Sequence, residues 1–340
     1  MKHLVIVAPT IKTGGGKELL LYLIEYLQTH YTQTQVELYI DKSLQIENSP
    51  GNFHIVYVSN AMDTLKLYGR HFSNALYFGN LPPYRKTTNS AVYFHNRYLL
   101  LPLAELFSLP NSKLIYKIKN LIRQAYVRLF IKNVDFVACQ NSKIQQQFIS
   151  KYGYKNVKVL PFFRICDEAA EKTDKIFDFC YISLAHPHKN HLTLFKALEI
   201  LAKQNIEMSI ALTIEDDNKE LIEKIEQINA IGSVKIVNFG VVPKEKACNI
   251  YKQSRCLVFP STSESFGLPL IEASKLGLCV ISSNLPYTFE VVKPSRVFNP
   301  TSAEDIAEKM KESLDQELEP GLCLVDNELD KLIKKLIKIP

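Results

Sequence analysis

No run of about 18 apolar residues occurs in the 340-residue chain, which argues against a helix that spans a bilayer. The opening "MKHLVIVAPTIKTGGG" has too short an apolar part for a signal peptide and runs straight into a glycine turn, so it reads as a first strand. No Cys-x-x-Cys pair occurs among Cys139, Cys166, Cys180, Cys248, Cys256, Cys279 and Cys323. Scattered and odd in number, they fit reduced thiols in a cytosol better than a disulfide framework. Internal repeats and low-complexity segments are absent. Tryptophan is absent as well, and nothing follows from it.

Two phosphate-binding signatures are also missing. "PTIKTGGGKELL" is not a P-loop, because Lys17 is followed by Glu18 and no glycine stands five residues before Gly16. Nor does it follow the GxGxxG pattern. Gly14, Gly15 and Gly16 permit close approach of backbone to a ligand, or simply a tight turn.

What is present is alternation. Short apolar runs at 3–9, 36–40, 53–58, 75–79, 91–95, 135–139 and 157–161 read as strands, with helical spacing at 16–30 and 141–153. The pattern fails over 162–175, which turns charged and reads as a linker, and restarts with strands at 177–185, 208–214, 234–240, 255–261 and 279–283. With 46% hydrophobic residues the chain holds more than one core usually does. The fold class expected is α/β, with two Rossmann-like parallel-sheet domains facing a cleft. The boundaries are 1–165, 166–315, and a tail helix over 316–340 that could pack back on the first domain.

The net charge is +6, and the segment 112–132 equals that whole excess with Lys113, Lys117, Lys119, Arg123, Arg128 and Lys132 and no acid. The near-neutral remainder argues against a nucleic-acid-coating protein. Leu114, Ile115, Ile118, Leu121, Ile122, Ala125, Tyr126 and Leu129 recur there at helical spacing. An ordinary domain helix with a solvated face and a face lying on anionic lipid both fit.

The candidate site residues follow strands, where ligands of open parallel sheets sit. In "PSTSESFGLPLIEASKLG", Pro269 suits a first helical position, which makes Leu268 the cap. Leucine offers no oxygen, so the free N–H groups suit an anion. Glu264 falls on the loop before that helix and Glu272 in its first turn. Both could equally be ordinary acids near a helix start. Eight residues of continuous helix would span about 12 Å, too far for a glycosidase carboxyl pair at about 5–9.5 Å unless the loop folds back. Two contacts along one extended ligand fit better. Lys189, between a strand and a helix, can balance a phosphate. His186, His188 and His191 lack acidic or cysteine companions and the spacing of one helical face, which speaks against a metal site. His95 ends an apolar strand, where structural and functional readings are balanced.

Together these residues resemble the GT-B glycosyltransferases, within them the large retaining group with an E-x(7)-E motif, glycosyltransferase family 4. "ESFGLPLIE" after Phe259-Pro260-Ser261 carries the resemblance, and 238–292 is similar to the family's donor-binding half throughout. The resemblance implies transfer of a hexose-type sugar from a nucleotide diphosphate to a glycan or lipid-linked glycan, with retention of configuration and without a divalent metal or other cofactor. The chain has no Asp-x-Asp triplet. By position, Glu264 would hold the donor sugar, Phe266, Gly267 and Leu268 would face the sugar and diphosphate, and Glu272 would hold the ribose. Lys189 would neutralise the diphosphate, Gly14, Gly15 and Gly16 would border it, and His95 would sit beside the reacting sugar. The first domain would bind acceptor and the second the nucleotide-sugar donor. Bacterial surface polysaccharide synthesis, O-antigen or capsule, is the implied setting, in the cytoplasm or at the inner face of the plasma membrane.

Three positions depart from the family pattern. Ser183 and "LAHPH" replace an upstream glycine and arginine, Asn96 stands where Asp is common, and Cys279 where proline is frequent. The alternatives are a non-catalytic nucleotide-sugar-binding subunit and a sugar-nucleotide epimerase. A phosphorylase would need a cofactor lysine and a far longer chain.

Overall fold

The computed structural model describes residues 2–46, 51–108, 114–166 and 173–338. Ser112, Lys113 and the middle of the expected linker therefore lie outside the described residues. The chain divides into two compact units, 1–164 with 326–340, and 165–325.

In the first unit the elements run β1 (His3–Ala8), α1 (Gly14–His30), β2 (Gln35–Asp41), β3 (Phe53–Val58), α2 (Ala61–Tyr68), β4 (Ser73–Phe78), β5 (Thr88–Phe94), α3 (Leu103–Ser108), α4 (Leu114–Phe130), β6 (Phe136–Cys139), α5 (Ser142–Tyr152) and β7 (Val157–Val159). The strands form one parallel sheet in the order β3-β2-β1-β4-β5-β6-β7. Its inner strands are apolar on both faces because both are covered. Leu4, Ile6 and Ala8 of β1 pack into one core with α1, while Val5 and Val7 pack into the opposite one.

The second unit continues with β8 (Phe177–Tyr181), α6 (His191–Lys203), β9 (Met208–Leu212), α7 (Lys219–Ile231), β10 (Val234–Asn238), α8 (Lys244–Lys252), β11 (Ser254–Phe259), α9 (Leu268–Lys275), β12 (Cys279–Ser283), α10 (Pro286–Val291), β13 (Val292–Lys293), β14 (Arg296–Phe298), α11 (Ala303–Asp315) and β15 (Leu322–Cys323). Six strands form a parallel sheet, β10-β9-β8-β11-β12-β14, and β13 pairs antiparallel with β15. The chain then returns to the first unit, where α12 (Leu329–Leu336) buries Leu329, Leu332, Ile333 and Leu336 in the α1 side of the core. Residues 316–325 stay with the second unit, so the return begins ten residues later than the tail boundary at 316.

Two readings of the sequence are corrected. Phe162 and Phe163 are fully buried, and Phe162 belongs to the first core, so the segment that loses the strand pattern begins as packed chain. Cys166 and Cys248 are joined in a disulfide with Cα atoms 5.6 Å apart, whereas reduced thiols were expected throughout. A separation of 82 residues left no local spacing to reveal the pair. The other five cysteines are free. No helix among the described residues is long and apolar enough to cross a membrane.

Candidate functional site

In the second unit the strand order reverses between β8 and its neighbour β11, so the loops leaving their carboxyl ends open side by side. The first loop ends in a 3-10 turn, Pro187–Lys189, and the second carries Glu264. Their side chains meet, with Lys189 Nζ 2.7 Å from Glu264 Oε1, the two being 15% and 11% exposed. The ammonium also lies 5.5 Å from the centre of the Phe259 ring.

Backbone contacts hold this junction. Tyr181 Oη donates to the Lys189 carbonyl at 2.7 Å. The Ser261 hydroxyl and the Thr262 N–H both donate to the His188 carbonyl, at 3.0 and 2.8 Å. Asn190 has φ 61°, a left-handed conformation that asparagine tolerates better than most residues. Its amide donates to the carbonyls of Pro260 and Pro300 at 3.1 and 2.7 Å, tying the Lys189 turn to the end of β11. Sequence reasoning passed over Asn190. An asparagine just before a helical run was the available signal, although here its Oδ1 accepts from the Thr193 hydroxyl at 2.7 Å and does not cap the helix backbone.

Beyond Glu264 the chain reverses at Gly267, with φ 81°. This corrects the expected cap by one residue. Gly267 is the N-cap of α9, Leu268 the first helical residue and Pro269 the second. A Cβ at 267 would fall 3.1 Å from Leu270 Cδ1, so both the dihedral and the space select glycine. No side chain caps the helix start, which leaves backbone donors for another acceptor. Phe266 is buried. Glu272 lies past the first turn, not within it. Its carboxylate is bonded to the ammonium of Lys244, the first residue of α8, at 11% and 22% exposure. Nothing in the motif pointed to Lys244, since the pairing arises between two separate helices.

The three histidines scatter. His186 and His188 stack on one another with ring centres 5.8 Å apart. His191 is buried against Tyr181, and burial lowers its pKa to about 4. Where an upstream arginine was missed, the loop is tied by neutral donors. The Ser183 N–H donates to Thr213 Oγ1 at 3.0 Å and the Ala185 N–H to Glu215 Oε2 at 2.9 Å. Cys279 lies beside Cys256 across β12 and β11, and that thiol lowers the Cys279 pKa to about 7.

The first unit has a second cluster at its own reversal between β1 and β4. Thr13 precedes α1 without a capping bond, and Gly14 has φ 69°. A Cβ on Gly16 would come 3.2 Å from His95 Nε2, so Gly16 admits the imidazole against the helix start. Gly15 has open space around it. His95 stacks on Phe78, and burial lowers its pKa to about 4, so the ring is neutral at pH 7. Its Nδ1 is buried without a hydrogen-bond partner. Asn80, another left-handed asparagine that sequence reasoning missed, accepts from the N–H groups of His95 at 2.7 Å and Asn96 at 2.9 Å. Asn96 in turn accepts from the Tyr98 N–H at 3.0 Å and caps the turn Arg97–Leu99. An aspartate would make the same cap, so this departure preserves the local fold.

The family description "Glycosyl transferases group 1" matches residues 165–335, half of the chain. The serotype-specific mannosyltransferase WbdA of Escherichia coli is 25% identical over 167 residues, 46% of this chain and 20% of that protein. The O-antigen chain mannosyltransferase B of Escherichia coli is 27% identical over 225 residues, 64% of this chain and 55% of that protein. The matches thus span between about a fifth and about half of the length of these relatives. Among solved structures, a glycosyltransferase from Rickettsia africae superposes with a TM-score of 0.65 at 14% identity, covering 99% of this chain and 93% of that one. Anabaena HepE in complex with UDP-glucose gives a TM-score of 0.64 at 15% identity, covering 99% and 92%. The chain belongs to the glycosyl transferases group 1 family, glycosyltransferase family 4, and has the GT-B fold.

Proposed function

We propose that this chain transfers a hexose-type sugar, with retention of configuration, from a nucleoside diphosphate donor to a glycan or lipid-linked glycan in bacterial surface polysaccharide synthesis. The observation that carries the reading is the pair of Lys189 and Glu264 at 2.7 Å, formed where the second sheet reverses its strand order and next to a helix start that no side chain caps. The mannosyltransferase relatives and the UDP-glucose complex of a structural neighbour support the substrate class and the setting.

In this reading the second unit takes the donor and the first the acceptor. Lys189 exchanges its carboxylate partner for the diphosphate, where negative charge develops as the sugar departs. Glu264, released from the lysine, accepts hydrogen bonds from sugar hydroxyls. The backbone at Phe266, Gly267 and Leu268 supplies N–H donors to the sugar and diphosphate, aligned with the α9 dipole. Glu272 binds the ribose hydroxyls. By the family resemblance, Gly14, Gly15 and Gly16 are assigned to the diphosphate and His95 to the reacting sugar, and His95, neutral at pH 7, could offer a hydrogen bond without placing a cation there. Such fixed donors, aimed where charge appears, need no reorganisation during reaction.

Steady-state kinetics with a panel of nucleotide sugars and a glycan acceptor tests the proposal. Lys189→Ala is expected to lower kcat/KM by about 10²-fold or more, and Glu272→Ala to raise the donor KM with little change in kcat. Wild-type turnover by the lysine variant would remove its assignment. Product formed without acceptor, as an altered nucleotide sugar, would point to epimerisation.

A further inference from the structure

Helix α4 is inside out. Its buried positions are Asn120, Gln124 and Val127, and Ile131 follows on the same side. Two of these four are amides that spend their hydrogen bonds on backbone. Gln124 donates to the carbonyls of Tyr98 and Leu101 at 3.1 and 3.2 Å, and Asn120 to that of Tyr116 at 3.1 Å. Opposite them Leu114, Ile115, Ile118, Ile122 and Leu129 stand 62%, 61%, 42%, 63% and 71% exposed. At about 100° per residue these five fall within one stripe of about 100°, centred roughly half a turn from the buried amides. A helix that merely closes a domain turns its apolar stripe inward. Here the aliphatic residues are spent on the outside.

Charge frames the stripe on both sides. Lys117, Arg128 and Lys132 project along one flank, Lys119 and Arg123 along the other. The helix has no acid. Of the elements around it, α3 brings Glu105, α2 brings Asp63 and Lys66, the turn after β5 brings Arg97, and α5 brings Lys151, whose carbonyl accepts from Arg128 at 2.8 Å. Exposed Leu103 and Phe107 of α3 add apolar surface at the start of this region, where Lys117 Nζ donates to the Phe107 carbonyl.

We infer that this face lies in the plane of an anionic phospholipid bilayer. The aliphatic stripe would enter the boundary between headgroups and acyl chains, and the flanking lysines and arginines would meet lipid phosphates. Charge complementarity selects this occupant. A second copy pairing through the same patch would set two basic rims against each other. A nucleic acid would satisfy the rims and leave the aliphatic centre uncovered.

The inference stands apart from the sugar-transfer reading, because its test measures binding alone. The full chain is sedimented with vesicles of phosphatidylcholine, and with vesicles containing about one-third phosphatidylglycerol, at low and high salt. Binding to the anionic vesicles alone, weakened at least tenfold by high salt, is expected. The double variant Lys119→Glu/Arg123→Glu should bind at least tenfold more weakly at low salt. Ile122→Ser/Leu129→Ser should do the same with all charges intact. Both pairs change exposed side chains, and unchanged circular dichroism melting verifies their folding. Indifference of the wild-type chain to anionic vesicles at low salt overturns the inference. So does loss of binding in the charge variant alone, which would leave the aliphatic stripe without a role. A concentration-dependent dimer in sedimentation velocity, abolished by Ile122→Ser/Leu129→Ser without vesicle binding, would assign the face to a second copy instead.

Discussion

The two glutamates of the E-x(7)-E motif each hold a different lysine. Glu264 takes Lys189 from the β8 loop, and Glu272 takes Lys244 from α8. A pair of carboxylates sharing one proton would need each other as neighbours, whereas each of these already has a cation of its own. Such an arrangement suits two binding contacts, and it creates a dependence the motif does not display. Removing Glu272 alone strands a largely buried ammonium. We expect Glu272→Ala to cost about 1–3 kcal/mol of stability through the unpaired Lys244, in addition to raising the donor KM. The double variant Glu272→Ala/Lys244→Met should recover most of that stability while keeping the raised KM. A denaturant-melt cycle beside donor titrations separates the two effects. Stability unchanged by the second substitution would mean that Lys244 finds water in place of the carboxylate.

At the scale of elements, legibility followed locality. The strands were readable because parallel strands covered on both faces are continuous apolar runs, and β1, β3, β6 and β8 begin within a residue or two of the runs that marked them. Lys189, Glu264, His95 and the three glycines could be singled out because each falls in a segment that leaves the carboxyl end of a strand, His95 directly after β5 and the others five to eight residues on. What escaped depends on partners distant in sequence. Asn80 and Asn190 act through carbonyls or N–H groups of other loops, Lys244 through another helix, and the orientation of α4 depends on which face its neighbours cover. The disulfide belongs to this group. Cys166, in the segment entering the second unit, is tied to Cys248 in α8, the helix that also provides Lys244. Thiol titration of the denatured chain without reductant should find five groups, and seven after reduction, the five free cysteines plus this pair. Closing a loop of this length limits the unfolded chain, so Cys248→Ser should destabilise the second unit by about 2–4 kcal/mol. Seven titratable groups before reduction would remove the bond.

For the molecule as a whole, each unit holds one histidine in neutral form, His191 buried and His95 partly buried with its ring stacked on Phe78, and the two act in the same direction. His95 in the first unit and His191 in the second both have pKa values lowered to about 4 from 6.5, chiefly by burial. Around His191, Glu215 acts the other way, and Lys189 and His186 reinforce the lowering. The unfolded chain takes up these protons as the pH falls below about 6.5, while the folded chain stays neutral until about 4, so unfolding binds protons throughout that window. The stability each neutral ring supports is therefore complete above 6.5 and is lost as the pH falls toward 4, by at most about 3 kcal/mol per histidine. Asp41, held near 2 by Lys12, responds only at lower pH. Chemical denaturation at steps from pH 7.5 to 4.5 should show the decline. Because two units need not unfold together, amide exchange should assign each part of it. His191→Phe keeps a ring against Tyr181 and replaces a histidine whose Nε2 is buried without a partner, so it gives up no hydrogen bond from that atom. It should flatten the pH dependence of the second unit and leave that of the first intact, while His95→Phe does the converse. The same slope in wild type and both variants would mean that neither histidine is kept neutral by the fold.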